Sequence, residues 1–147
     1  MKLDDFLAFL MLQLSVVEHK LKAPFMGIRS EDIEPDDMIT SLIALKALIA
    51  NPNDIRHLGS ALKFQFKKNK WIIFVTTDES EILSKESEMF EIFGLQCSKP
   101  EWALDNYREL TKFKSPIEHF REKKAYSEGQ KEFAKVLDKI MNIKIVD

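Results

Sequence analysis

The stretch KKNKWIIFVTTD (67–78) constrains the fold more than any other part of the chain. Behind a basic turn, Trp71–Val75 are five consecutive apolar and mostly β-favouring residues. A run without polar alternation predicts a strand covered on both faces, as in a parallel sheet between helices. Its flanks agree with that. Ile55, Leu58, Ala61, Leu62 and Phe66 precede it at helical spacing, and a further helix follows, ending near Phe93 with Gly94 as its stop. LQCS (95–98) then reads as a second short strand. Helix, strand, helix, strand with short connections is the α/β pattern.

The remaining elements are read from caps and breakers. Pro52 ends one helix and Asn53 or Asp54 opens the next. Asp36 or Asp37 caps a helix near 37–50, with Met38, Leu42, Leu45, Leu48 and Ile49 on one face. Gly59 costs about 1 kcal/mol relative to alanine inside a helix, so it predicts a close approach by a neighbouring element. Residues 4–22 read as a helix apolar on nearly every side, hence central. Its run FLAFLMLQLSVV (6–17) is too short to span a bilayer, and Asp4 and Asp5 do not suit the basic start of a signal peptide. Residues 22–37 form an acidic loop with Pro24, Gly27 and Pro35.

Beyond about residue 105 the character changes. Between Lys112 and Lys144 nine Lys and Arg face five Asp and Glu, and Phe133, Val136, Leu137, Ile140 and Met141 make a sparse apolar stripe. One or two amphipathic helices are expected there, then a terminal strand in NIKIVD. The organisation predicted is a domain over 1–110 with a basic helical extension over 111–147 packed on it. With 45% hydrophobic and 31% charged residues in a chain of 147, neither disorder nor a membrane protein is indicated. A net charge of −2 means that a polyanion would have to meet a local patch. Cys97 is the one cysteine, which excludes an intramolecular disulfide, suits a reducing cytoplasm and leaves no zinc-ligand spacing.

Two acidic residues frame the predicted strand. Asp78 directly follows it, and Asp54 opens the helix that leads into it. Open α/β sheets bind ligands outside the carboxyl ends of their strands. A helix antiparallel to its following strand has its N-terminus at that same edge. Two carboxylates there could share a hard cation such as Mg²⁺. The plainer alternative is that each is a helix cap contributing ~1 kcal/mol.

Asp54-x-x-His57-x-x-x-Ala61, then an apolar strand ending in Thr76-x-Asp78, then FGLQCSKPEWAL (93–104), resembles the C-terminal half of PIN-domain ribonucleases. The resemblance covers about residues 51–104. It implies a three-layer α/β/α sandwich with a parallel sheet, and hydrolysis of RNA phosphodiesters by an acidic cluster holding Mg²⁺ or Mn²⁺. Asp54 and Asp78 match the third and fourth acidic positions, and Thr76 orients the cluster through its hydroxyl. Glu18, on the early apolar helix, fits the second position, with a charge on that helix's exposed stripe as the alternative. No apolar strand precedes the first helix, so Asp4 or Asp5 stands in for the first-strand Asp only in a shortened version of the family's opening. The resemblance further implies an antitoxin-like protein partner, a homodimer and a cytoplasmic location without membrane attachment.

Three readings follow: a PIN-like ribonuclease, a PIN-like module that binds without cleaving, and a mostly helical interaction domain whose acidic residues are caps alone. Failure of 71–76 to form a central strand would leave only the third. For RNA approach, Lys63, Lys67, Lys68 and Lys70 lie at the far end of their helix from the acidic edge. The basic C-terminal helices are nearer, with a solvated face as the alternative. Trp102 and Tyr107 could stack on bases or pack on the core.

Overall fold

The computed structural model describes residues 33–76, 79–99, 101–103, 114–123, 125–142 and 144–145. The expected helix over 4–22, Asp4, Glu18 and Asp78 lie outside them, as does the division at 110/111. Among the described residues the protein is mixed α/β and mostly helical, with one small parallel sheet.

Helix α1 spans Asp37–Lys46 and is capped by Asp36, whose Oδ1 accepts from Met38 N at 2.8 Å and Ile39 N at 3.4 Å. It buries Ile39 and Ile43, continued by Ala47 and Ile49; of the face first expected, Ile49 is buried and Leu42 half-buried against the core. Met38, Leu45 and Leu48 are 39%, 64% and 70% exposed. The helix carries two apolar stripes, and the 39/43/47 spacing is the one turned to the core. It also ends four residues early, at Lys46, and Leu48 adopts φ 56°.

Helix α2 spans Pro52–Lys68. Pro52 therefore starts this helix instead of ending the previous one, which its fixed φ and missing N–H allow in a first turn. A β-carbon on Gly59 would lie 2.7 Å from Thr40 Cγ2, which is the close approach that its sequence position predicted. At the other end Asn69 takes φ 52°, Asn69 N donates to Phe66 O at 3.3 Å and Lys70 N to Gln65 O at 3.1 Å. This pair of bonds closes the helix and turns the chain back over its last turn.

Strand β1, Ile73–Val75, follows that turn and pairs in parallel with β2, Gln96–Ser98, in the register Ile73↔Gln96, Phe74↔Cys97, Val75↔Ser98. The strand exists where the apolar run predicted it, but all three of its residues are only half-buried, so the expectation of full cover is not met. Between the strands lie a short 3₁₀ turn, Leu83–Lys85, and helix α3, Glu86–Phe93, closed by Gly94 at φ 73°.

Helices α4, Pro116–Arg121, and α5, Glu128–Met141, complete the order. α5 opens with a capping box in which Ser127 Oγ accepts from Gln130 N and Gln130 Oε1 from Ser127 N. Of its predicted stripe Phe133, Val136 and Leu137 are buried, while Ile140 and Met141 are half-buried. Phe133 stands among Phe66, Phe93 and Phe120 at ring-centroid distances of 5.4, 4.9 and 5.8 Å, all edge-to-face. One apolar core therefore runs from α1 through α5. Lys144 and Ile145 are not in a strand; Ile145 N instead donates to Asp138 Oδ1 of α5 at 2.5 Å.

Candidate functional site

The N-terminus of α2 answers the capping question raised by Asp54. The cap is Asn51: its Oδ1 accepts from Asn53 N at 2.9 Å and from Asp54 N at 3.2 Å. Asp54 is the third residue of the helix, inside the first turn. A carboxylate there is favoured by the helix dipole by roughly 0.3–1 kcal/mol, without serving as the cap. Its Oδ2 is shielded from solvent. His57, one turn on, is half-buried, in keeping with a packing histidine.

Thr76 is held at the carboxyl end of β1, where its N–H donates to Ser98 O at 3.0 Å. The pairing thus brings together Thr76, the residue after β1, and Ser98, the last residue of β2. Among the described residues no three His, Cys, Asp or Glu side chains converge as a metal site. Asp4, Glu18 and Asp78 fall outside that statement.

Beside the same strand ends lies an open groove of about 500 Å³. Gln96 and Ser98 face it from β2, Glu86, Ser87, Phe90 and Glu91 from α3, and Lys99 and Trp102 from the segment after β2. Period-two alternation explains the division: Gln96 and Ser98 share one face of the strand, while Cys97 between them points the other way and is fully buried. Lys99 is ion-paired to Glu79, which joins the segments following the two strands and raises the Lys99 pKa. Trp102 is 38% exposed. Of this lining the sequence singles out Trp102, and places Gln96, Ser98 and Lys99 only as part of the stretch 93–104. The signal for the rest was the strand itself, since alternate residues of LQCSK must line whatever abuts α3.

No family model, no curated protein and no solved structure matches this chain. The functional reading accordingly rests on its own residues. The described lining of the groove offers hydrogen-bonding and aromatic contacts but contains no histidine to activate Ser87 or Ser98 as a nucleophile. None of the described helices is long and apolar enough to cross a membrane.

Cys97 is not a reactive thiol. Burial, and secondarily the charge of Glu86, push its pKa up to about 12. At pH 8 only about one molecule in ten thousand carries the thiolate that a disulfide reagent attacks. Labelling of native protein by such a reagent, followed by released thiol chromophore, is expected to await denaturant. Rapid stoichiometric labelling in native buffer would contradict that burial.

Proposed function

We propose that the protein is a PIN-like, Mg²⁺- or Mn²⁺-dependent ribonuclease in which Asp54, Asp78, Glu18 and Asp4 supply the carboxylates and Thr76 orients them. The observation that carries this reading is the assignment of the cap to Asn51. It shows that Asp54 is not the cap and puts a carboxylate oxygen shielded from solvent at the head of the helix feeding β1. Matching reach adds support. The chain folds back over the last turn of α2, and Ile72 N donates to Gln65 Oε1 at 3.3 Å. From Ile72 the strand advances about 13 Å to Thr76, while α2 climbs about 16 Å from Gln65 back to Asp54. A helix running back alongside β1 would, with those two rises, bring Asp54 and Thr76 toward one edge. The parallel pairing of β1 and β2 fits a three-layer α/β/α sandwich of which they are two strands.

The oxygen donors of Asp54 and Thr76 suit a hard divalent cation. When bound, such an ion would activate water and neutralise charge developing on the phosphate. The carboxylates' part would be to hold and orient it, and Thr76, whose N–H donates to Ser98 O, would supply a hydroxyl that orients them. An antitoxin-like protein and a second copy of the chain are partners this reading carries with it, in a cytoplasmic setting.

The groove favours a second reading, a PIN-like module that binds a partner without cleaving RNA, because its described lining mixes aromatic and polar side chains. Calorimetric titration with Mn²⁺ separates the two. The ribonuclease reading expects saturable binding by the wild type, lost in Asp54→Asn/Asp78→Asn, together with metal-dependent cleavage of RNA. Absence of saturable binding in the wild type would select the module that only binds.

A further inference from the structure

Two segments whose contacts span 43 and 48 residues of sequence meet at one end of the molecule. α2 finishes with Lys67 and Lys68, followed by Asn69, Lys70 and Trp71. Asn69 Oδ1 accepts from Ile117 N, in the first turn of α4, at 2.9 Å. Trp71 Nε1 donates to the Lys114 carbonyl, and the Trp71 ring stands edge-on to His119 at 5.4 Å. These contacts fix the start of α4 against the end of α2, so Lys67, Lys68, Lys70 and Lys114 belong to one surface.

The charge on that surface is one-sided. Residues 63–73 hold four lysines and no carboxylate. Lys67, Lys68 and Lys70 are exposed, and none of them takes part in the ion pairs of the described residues. The acidic groups on α4 are Glu118 and Glu122, and Glu122 is already bonded to Lys114 at 2.5 Å. His119 is held below the ordinary imidazole range, by burial first and then by Lys123. It presents an uncharged ring at neutral pH. In a chain of net charge −2 this end carries a local excess of positive charge, which attracts a polyanion.

We propose that the seam between the end of α2 and the start of α4 is a docking surface for single-stranded nucleic acid, with phosphates on Lys67, Lys68 and Lys70 and a base against the half-buried Trp71–His119 pair. The aromatic pair beside the lysines is what favours a nucleic-acid strand, since bases stack on such rings while phosphates take the cations. An anionic membrane surface fits less well, because it also needs apolar side chains to insert. The exposed large apolar residues among those described are on α1, at Leu48 and at Trp102, not on this seam. The surface deepens the ribonuclease reading and rests on it only for treating the bound strand as substrate. Asp54 and Lys68 are 14 residues apart on α2, about 21 Å by helix rise. That separation makes the seam an anchor remote from the cleavage edge, reached by the same strand.

Fluorescence anisotropy with a labelled single-stranded RNA of about twelve nucleotides tests it. EDTA is present throughout, so the outcome does not depend on metal or cleavage. The wild type is expected to bind with an affinity that falls steeply between about 50 and 200 mM salt. Lys67→Gln/Lys68→Gln/Lys70→Gln should weaken binding at least about tenfold and reduce the log–log salt slope by about 2, at roughly 0.7 per lost single-strand phosphate contact. The control Lys131→Gln/Lys135→Gln/Lys139→Gln removes as much charge from the exposed side of α5 and should bind like the wild type. Equal losses in both variants, no binding by the wild type, or tighter binding to phosphatidylserine vesicles than to RNA would overturn the proposal. Retained binding without cleavage in Mn²⁺ would instead remove the ribonuclease reading and leave this surface standing.

Discussion

Replacing Phe133 by alanine is expected to lower the free energy of unfolding by about 3–5 kcal/mol, the largest stability change of any single truncation considered for this chain. Phe133 is fully buried and touches three other buried rings edge-to-face: Phe66 from α2, Phe93 from α3 and Phe120 from α4. Alanine removes the ring's transfer energy, leaves a cavity that three rigid neighbours cannot collapse to fill, and removes three aromatic contacts worth about 0.5–1.5 kcal/mol each beyond their area. The loss would take a large share of the 5–15 kcal/mol that holds a typical domain together. Urea denaturation should show a lower midpoint with an unchanged slope, and Phe133→Leu should recover most of the difference. A midpoint shift worth less than about 1 kcal/mol would mean that α5 is peripheral to the core instead of central to it.

The location of that ring shows where sequence reasoning succeeds and where it stops. The stripe containing Phe133 was legible because helical spacing against a charged background leaves few alternatives. The same held for Gly59, whose cost inside a helix has to be offset by a neighbour, and for Gly94, which meets the left-handed φ that its position required. Residues 51–54 were read in the wrong order. Asn, Pro and Asp all signal a helix boundary, and local propensity does not say which of two adjacent ends each one serves. α1 was placed correctly and turned the wrong way, since two apolar stripes compete and only tertiary contact chooses the Ile39–Ile43 one. The candidate site was the least legible part. Asp54 and Thr76 are identifiable from spacing, but Gln96, Ser98 and the α3 carboxylates enter the groove through strand register, which is settled by pairing between segments 20 residues apart. The α2–α4 basic seam was missed for the same reason, because two hydrogen bonds made by Asn69 and Trp71 create it.

Gln65→Leu is expected to cost about 2–5 kcal/mol, a large effect for a polar residue replaced by an apolar one of similar size. Gln65 is fully buried on the apolar face of α2. Its Nε2 donates to Gly94 O at 2.9 Å, and its Oε1 accepts from Ile72 N at 3.3 Å. One side chain thereby serves the residue after α3 and the residue entering β1, neither of which has a helical or sheet partner for that group. Leucine would leave the buried Gly94 carbonyl unsatisfied and the part-buried Ile72 N–H without its partner, at up to about 1–3 kcal/mol each. Gln65→Glu separates this account from a simple packing defect. Protonated, the glutamic acid can donate to Gly94 O and accept from Ile72 N much as glutamine does. Ionised, it sets a buried charge against a carbonyl oxygen, so its pKa in the folded protein must lie above the unfolded value of about 4.3. A raised folded pKa gives stability that is present below the unfolded value and lost as pH rises toward the folded one. Relative to wild type at each pH, Gln65→Glu should therefore be nearly as stable near pH 4 and much less stable at pH 7, while the deficit of Gln65→Leu stays constant. Chemical denaturation at the two pH values reads the difference. A pH-independent deficit in Gln65→Glu would mean that the two backbone groups find water, and that the turn from α2 into β1 is held by something other than Gln65.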